Sequence, residues 1–196
     1  MRIKNFTGHL RTVNHHRWLV FIHCCRAGIV WQGLRHDLSK YSPAEFIPGV
    51  RYYQGGMRSP NEKERALYGY SPAWLHHKGR NKHHFEYWND YDPVSKRVKP
   101  VKMPARYLAE MVCDRMAASK TYMKEDYSDS APLEYFLNSA VRKKDVMHPE
   151  TAAKLTELLT ILSREGEKAL FAALRKMLKE ERAEKPAVSK KSTEKE

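Results

Sequence analysis

Apolar side chains recur at three- and four-residue intervals along most of the chain, and no stretch alternates apolar and polar positions as a half-buried strand does. That period predicts helices. Val13, Val20, Cys24 and Ala27 share one face of a helix that Thr7 can cap and Gly28 can stop. A short helix from Ile29 to Leu38 follows, carrying the adjacent pair His36-Asp37. Ser42-Pro43-Ala44-Glu45 reads as a fresh start, with Ser as cap and Pro at the first position, and Gly55-Gly56 closes that helix near Gln54. Further helices are predicted over Glu62 to Gly69 and from Ser71-Pro72, ending in a turn at Lys78-Gly79-Arg80. Asn81 can cap a helix from Lys82 to Trp88, and residues 90–104 read as a proline- and lysine-rich loop. Pro104 opens a long helix to Met123, and another spans Pro132 to Lys144. The last helical region runs from Pro149 to Ala183, bent near Gly166, with Leu155, Leu158, Leu159, Leu162, Leu170, Leu174 and Leu178 as its apolar stripe. The expected fold is therefore all-α, a single-domain helical bundle over residues 1–183, followed by a disordered charged tail over 184–196.

Composition bounds this picture. A chain of 196 residues with 41% hydrophobic content can bury one core. Lys and Arg number 36 against 23 Asp and Glu, a net charge of +13 that attracts phosphate-bearing small molecules or nucleic acid. Three cysteines, two of them adjacent, form no disulfide framework, and a cytoplasmic setting fits. The apolar stretch from Trp18 to Trp31 is interrupted by His23 and Arg26 and is shorter than the roughly 20 residues of a membrane span, so no membrane partner is expected. The leucine stripe either closes the domain or pairs with another subunit, an oligomer through the C-terminal helix.

The chemistry-bearing residues fall in four clusters: His15-His16, His36-Asp37, the run from His76 to His84, and Asp114. His16 lies within the apolar face of the first helix, whereas His15 falls nearer Arg11 and Arg26. Tyr107, Met111, Asp114 and Ala118 share a face of the long helix, and an aspartate there is costly to bury unless paired or bound to metal. Four histidines, His76, His77, His83 and His84, sit within nine residues, so His77 can face one of His83 or His84 across a corner. Imidazole and carboxylate together suit a divalent transition metal: manganese, iron, cobalt, nickel or zinc. The same run also fits a basic anion-binding corner without metal.

The order His16, His36-Asp37, a His-rich segment and Asp114 resembles the HD-domain superfamily of metal-dependent phosphohydrolases, over residues 10–123. His36-Asp37-Leu38-Ser39-Lys40 looks like the His-Asp-x-Gly-Lys motif of its HD-GYP branch, with Ser39 in place of Gly. Lys78 stands where that branch has Glu after His-His, and no Gly-Tyr-Pro follows, so a cyclic-dinucleotide substrate is not implied. The whole chain is more similar to a bacterial and phage branch sharing the strings around His36 and His76, for which no reaction is implied. The resemblance implies one metal held by His16, His36, Asp37 and Asp114. It implies a second, bridged by Asp37, held by histidines among His76, His77, His83 and His84. Lys40, Arg80 and Arg115 are the implied phosphate-binding residues, with Asp37 and Lys40 as catalytic groups.

The leading expectation is thus a phosphohydrolase acting on a nucleotide or other small phosphate ester. Two alternatives stand beside it. One is a nucleic-acid or nucleotide binding module using Tyr52, Tyr53, Phe85, Tyr87, Trp88 and Tyr91 among basic residues. The other is a di-iron oxygenase, which one branch of the superfamily builds from the same ligand arrangement.

Overall fold

The structure, a computed structural model, describes residues 3–139 and 146–184. These residues form eight α-helices, three 3-10 turns and one two-stranded hairpin. The mainly helical expectation holds. The hairpin lies outside it.

Helix α1 spans Ile3–Ala27 and begins a turn earlier than Thr7 suggests. The Thr7 hydroxyl donates back to the Ile3 carbonyl at 3.2 Å, so it sits within the helix and not at its cap. Gly28, at φ 82, ends α1. Ile29 N–H reaches the Cys24 carbonyl at 2.9 Å and Gly28 N–H the Cys25 carbonyl at 3.1 Å, the paired closure that a left-handed glycine permits.

Helix α2, Val30–Arg35, folds back on α1. A Cβ on Gly33 would lie 2.7 Å from Cys24 Cβ, so only glycine lets the two backbones approach. The sequence placed His36-Asp37 inside this helix. The structure instead ends α2 at Arg35, turns the chain at His36 and Asp37, and continues as a 3-10 turn over Leu38–Tyr41.

Helices α3 (Pro43–Arg51), α4 (Pro60–Tyr68) and α5 (Pro72–Arg80) form a layer beside α1. Each begins on a Ser-Pro pair, at Ser42, Ser59 and Ser71. Ser71 Oγ accepts the Trp74 N–H at 3.0 Å, and Ser71 in turn donates to the buried Glu64 carboxylate. Helix α5 runs through Lys78-Gly79-Arg80, which the sequence had read as a turn. Asn81 closes α5 and does not open a new helix: its backbone N–H and side-chain amide both donate to the His77 carbonyl. The predicted helix over Lys82 to Trp88 is a turn with one 3-10 segment, Phe85–Tyr87. Strands β1 (Asn89–Asp92) and β2 (Arg97–Pro100) then pair antiparallel, Asn89 opposite Pro100.

Helix α6, Ala105–Met123, is the central element. It packs on α1 and on α8, and Leu108, Val112, Met116 and Ala117 are buried on it. Helix α7 covers Ala131–Asn138 and ends at Ser139, which is extended; residues 140–144 of the expected helix lie outside the described residues. Helix α8 spans Pro149–Glu184 and is kinked at Gly166, where φ is 79 and ψ −179. All seven leucines of its stripe are buried against the rest of the chain. The stripe closes the domain, so that face is not left for a second subunit. Residues 185–196, most of the expected tail, lie outside the described residues. Among the described residues, no helix is long and apolar enough to cross a membrane.

Candidate metal centre

Four parts of the chain converge on one point. Helix α1 supplies His16; the turn after α2 supplies His36 and Asp37; α5 and the turn behind it supply His77, His83 and His84; α6 supplies Asp114. The turn is built by its backbone. Asp37 has φ 53, a left-handed conformation that aspartate tolerates better than most residues. Arg17, one turn beyond Val13 on α1, fixes it: Nε donates to the His36 carbonyl at 2.8 Å and Nη2 to the Leu34 carbonyl at 3.1 Å. Its Nη1 donates to the Tyr41 hydroxyl at 3.0 Å.

The Asp37 carboxylate lies at the middle, 1% exposed as a residue. Its two oxygens face different neighbours. Oδ2 lies 3.4 Å from His36 Nε2, 4.0 Å from His16 Nε2 and 3.3 Å from Lys40 Nζ. Oδ1 lies 3.4 Å from both His77 Nε2 and His83 Nε2. Asp114 closes the other side, with Oδ1 3.0 Å from His16 Nε2 and Oδ2 3.8 Å from His83 Nε2. Three sets of ligand atoms are close enough for a shared ion: Asp37, His77, His83 and His84; His16, His36 and Asp37; and His36, His83 and Asp114. Both His83 and His84 turn inward, where the sequence left one of the two open.

Two carboxylates that the sequence reading did not place in the site lie behind the histidines. Glu110 Oε1 accepts Nδ1–H from His36 at 3.0 Å and from His83 at 3.1 Å. Glu45 accepts His77 Nδ1–H at 2.7 Å on one oxygen and His76 Nδ1–H at 2.7 Å on the other. Glu110 lies four residues before Asp114, on the same side of α6, and that spacing is the signal that could have found it. His76 faces Glu45 and belongs to none of the three ligand sets.

The electrostatics follow from burial and crowding. Burial opposes charge on His36, yet the carboxylates of Asp37, Glu110 and Asp114 outweigh it and raise its pKa well above the usual imidazole range. Burial would likewise neutralise Asp37, but His36, Lys40 and His77 hold it well below the usual carboxylate range. Asp114 is held well below that range by His16 and His83 against the same burial cost. Glu110 falls to about 2, burial being overcome by its hydrogen bonds to His36 and His83. His84 moves the other way: burial and the nearby His83 and His77 push it well below the imidazole range. The centre thus holds ionised carboxylates around a point where positive charge is favoured.

The donor set fits a divalent ion. His36 Nε2, Asp37 Oδ1, His83 Nε2 and His84 Nε2 are buried without a hydrogen-bond partner. Such groups are costly in an interior unless something satisfies them. With Nδ1 donating to a carboxylate, Nε2 is the nitrogen left facing the carboxylate oxygen opposite, where a cation can take the place of a proton on that nitrogen. These buried histidine and aspartate groups can hold a metal ion.

A cavity of about 430 Å³ opens on this centre. Lys40, Arg58, Arg65 and Arg115 line it, with Trp74 and Tyr122. Arg115 Nε is buried without a hydrogen-bond partner, and burial lowers its pKa. Arg80, implied as a phosphate ligand, is exposed at the end of α5 and does not line the cavity. Of the aromatics expected to stack on bases, Tyr52 is buried, Tyr53 is half-buried and lines the cavity, and Phe85 and Trp88 pack against the core, leaving Tyr87 and Tyr91 exposed.

A family model matches residues 5–161. The chain belongs to DUF5662, a family of unknown function. The matched span contains every group of the centre, from His16 to Asp114, and stops within α8 ahead of the kink at Gly166. No curated protein and no solved structure matched the chain.

Proposed function

We propose that the chain is a metal-dependent phosphohydrolase of small phosphate esters, nucleotides among them, with an HD-domain-like fold and a cytoplasmic setting. The observation that carries this reading is the Asp37 carboxylate, whose two oxygens face two separate sets of histidines. One position takes His16, His36, Asp37 and Asp114; the other takes Asp37, His77, His83 and His84. A divalent ion held there lowers the pKa of bound water to near neutrality and offsets phosphoryl charge.

The chain's own residues do the rest. Lys40, 3.3 Å from Asp37 and lining the cavity, keeps its charge because Asp37, Tyr122 and Asp114 outweigh the cost of burying it. Its ammonium binds a phosphate oxygen and offsets charge developing on it. Arg115 offers a guanidinium from the adjacent turn of α6, the second phosphate contact. The cavity's volume suits a ligand of mononucleotide size and falls in the usual range for small-molecule sites.

Elemental analysis of the purified protein, followed by phosphate release from a panel of nucleotides and simple phosphate monoesters, tests the reading. Manganese, iron, cobalt, nickel or zinc is expected at one to two ions per chain, with hydrolysis lost in His36→Ala together with the metal. Metal-loaded protein that releases phosphate from none of the panel overturns the activity. If that loaded protein is coloured and carries two irons, oxygenase chemistry replaces it.

A further inference from the structure

We infer that Glu110 and Glu45 are positioning residues that set the imidazole tautomers of this centre, and that Glu110 supports both of its cation positions. The inference rests on the metal reading above. An imidazole can carry its proton on either nitrogen, and a proton on Nε2 blocks ligation by that atom. A carboxylate that accepts Nδ1–H commits the lone pair to Nε2 and fixes the ring's direction.

The two glutamates do this differently. Glu110 takes His36 and His83 on the same oxygen, Oε1, at 3.0 and 3.1 Å. His36 joins His16 and Asp37 in one ligand set and His83 joins Asp37, His77 and His84 in another, while a third set brings His36 and His83 together with Asp114. The other oxygen, Oε2, accepts Gln32 Nε2–H at 2.8 Å, and the same amide donates to the Arg106 carbonyl at 3.0 Å. Glu110 is therefore pinned from behind while it holds one ligand of each position. Glu45 instead divides its oxygens between His77, a ligand of the second position only, and His76, which faces away from the centre. His76 is an anchor for Glu45 and not a ligand. Removing Glu45 disturbs one position. Removing Glu110 disturbs both, so it is a support that the two positions share.

Zn2+ titration by calorimetry, with long-range nitrogen–proton NMR of the imidazoles, tests this on the wild-type chain, Glu45→Gln and Glu110→Gln. The wild type is expected to carry a proton on Nδ1 of His36, His77 and His83. Glu45→Gln is expected to weaken one Zn2+ equivalent by about 10- to 100-fold and to move only the His76 and His77 signals. Glu110→Gln is expected to weaken both equivalents in that range and to move His36 and His83. Gln32→Ala, which loosens Glu110 from behind, is expected to weaken both in the same sense, and it serves if Glu110→Gln does not fold. Wild-type rings lacking the Nδ1 proton, or Glu110→Gln that weakens only one equivalent or neither, overturn the inference while leaving the metal reading standing. A wild type that takes up no Zn2+ but keeps its Nδ1 protons overturns the metal reading, and the shared support of two ions falls with it.

Discussion

Asp37 is held in a backbone shape that most side chains avoid, and the surrounding structure supplies the restraint. A left-handed residue costs about 1–2 kcal/mol, and Arg17 offsets that cost by gripping the carbonyls on either side of Arg35, those of Leu34 and His36. Arg17→Ala is expected to destabilise the protein by about 1–3 kcal/mol through the lost charged hydrogen bonds and to weaken metal binding as the turn loosens. Denaturant unfolding and a zinc titration would show both effects; unchanged affinity would mean the turn holds itself. Arg17→Lys should recover only part of the loss, since an ammonium cannot reproduce the forked donor geometry. The sequence put His16 and Asp114 on apolar faces, where ligand-type residues need a reason to be, and singled out His36-Asp37 by its motif resemblance; the structure brings all four together. Arg17 was not legible, because its partners are backbone carbonyls, which carry no sequence signature. Glu45 was masked by a simpler role, the acidic residue in the first turn of α3. Glu110 lies four residues before Asp114 in α6, a spacing that marks it as a neighbour of the site, although its burial shows only in the folded packing.

Helix ends were read well where Gly or Ser-Pro marked them, as at Gly28, Ser42 and Ser71. They were read poorly where tertiary contacts chose the conformation. The hairpin of β1 and β2 is mostly exposed, so it has no buried face to impose alternation on its residues. Its turn is held by Asp92, which accepts Ser95 Oγ–H at 2.6 Å and Val94 N–H at 3.1 Å. The bend of α8 was legible, since a glycine interrupts an otherwise continuous stripe. Gly166 lies in a backbone region essentially reserved for glycine. A Cβ there would meet Asp129 Oδ2 at 3.6 Å, ordinary contact, so the cost of a substitution is in the backbone and not in crowding. Gly166→Ala is expected to lower stability by about 1–3 kcal/mol with zinc stoichiometry unchanged, as read by denaturant unfolding and titration. A loss of zinc in that variant would show that α8 shapes the centre.

The whole molecule is tied together twice. On one side, Glu167 of α8 pairs with Arg26 of α1 and Lys120 of α6, beside the apolar core that those three helices share. On the other, the candidate ion links α1, the turn after α2, α5 and α6. Binding to the folded state alone stabilises it by about 2.7 kcal/mol when free ligand is 100 times its dissociation constant. Chelation is therefore expected to lower the melting temperature of the zinc-loaded wild type by several degrees and to leave the metal-free Asp37→Asn variant unmoved. A wild-type melting curve indifferent to chelator would argue that the ion contributes nothing to the fold. The spread of donors along the chain also has a consequence for synthesis on the ribosome. His16, His36 and Asp37 emerge first, and the nascent chain lacks Glu110 and Asp114 until α6 follows. A product terminated before α6 carries Asp37, His77, His83 and His84 but lacks Asp114 and the Glu110 support, so a full two-ion complement would report that translation had passed that helix.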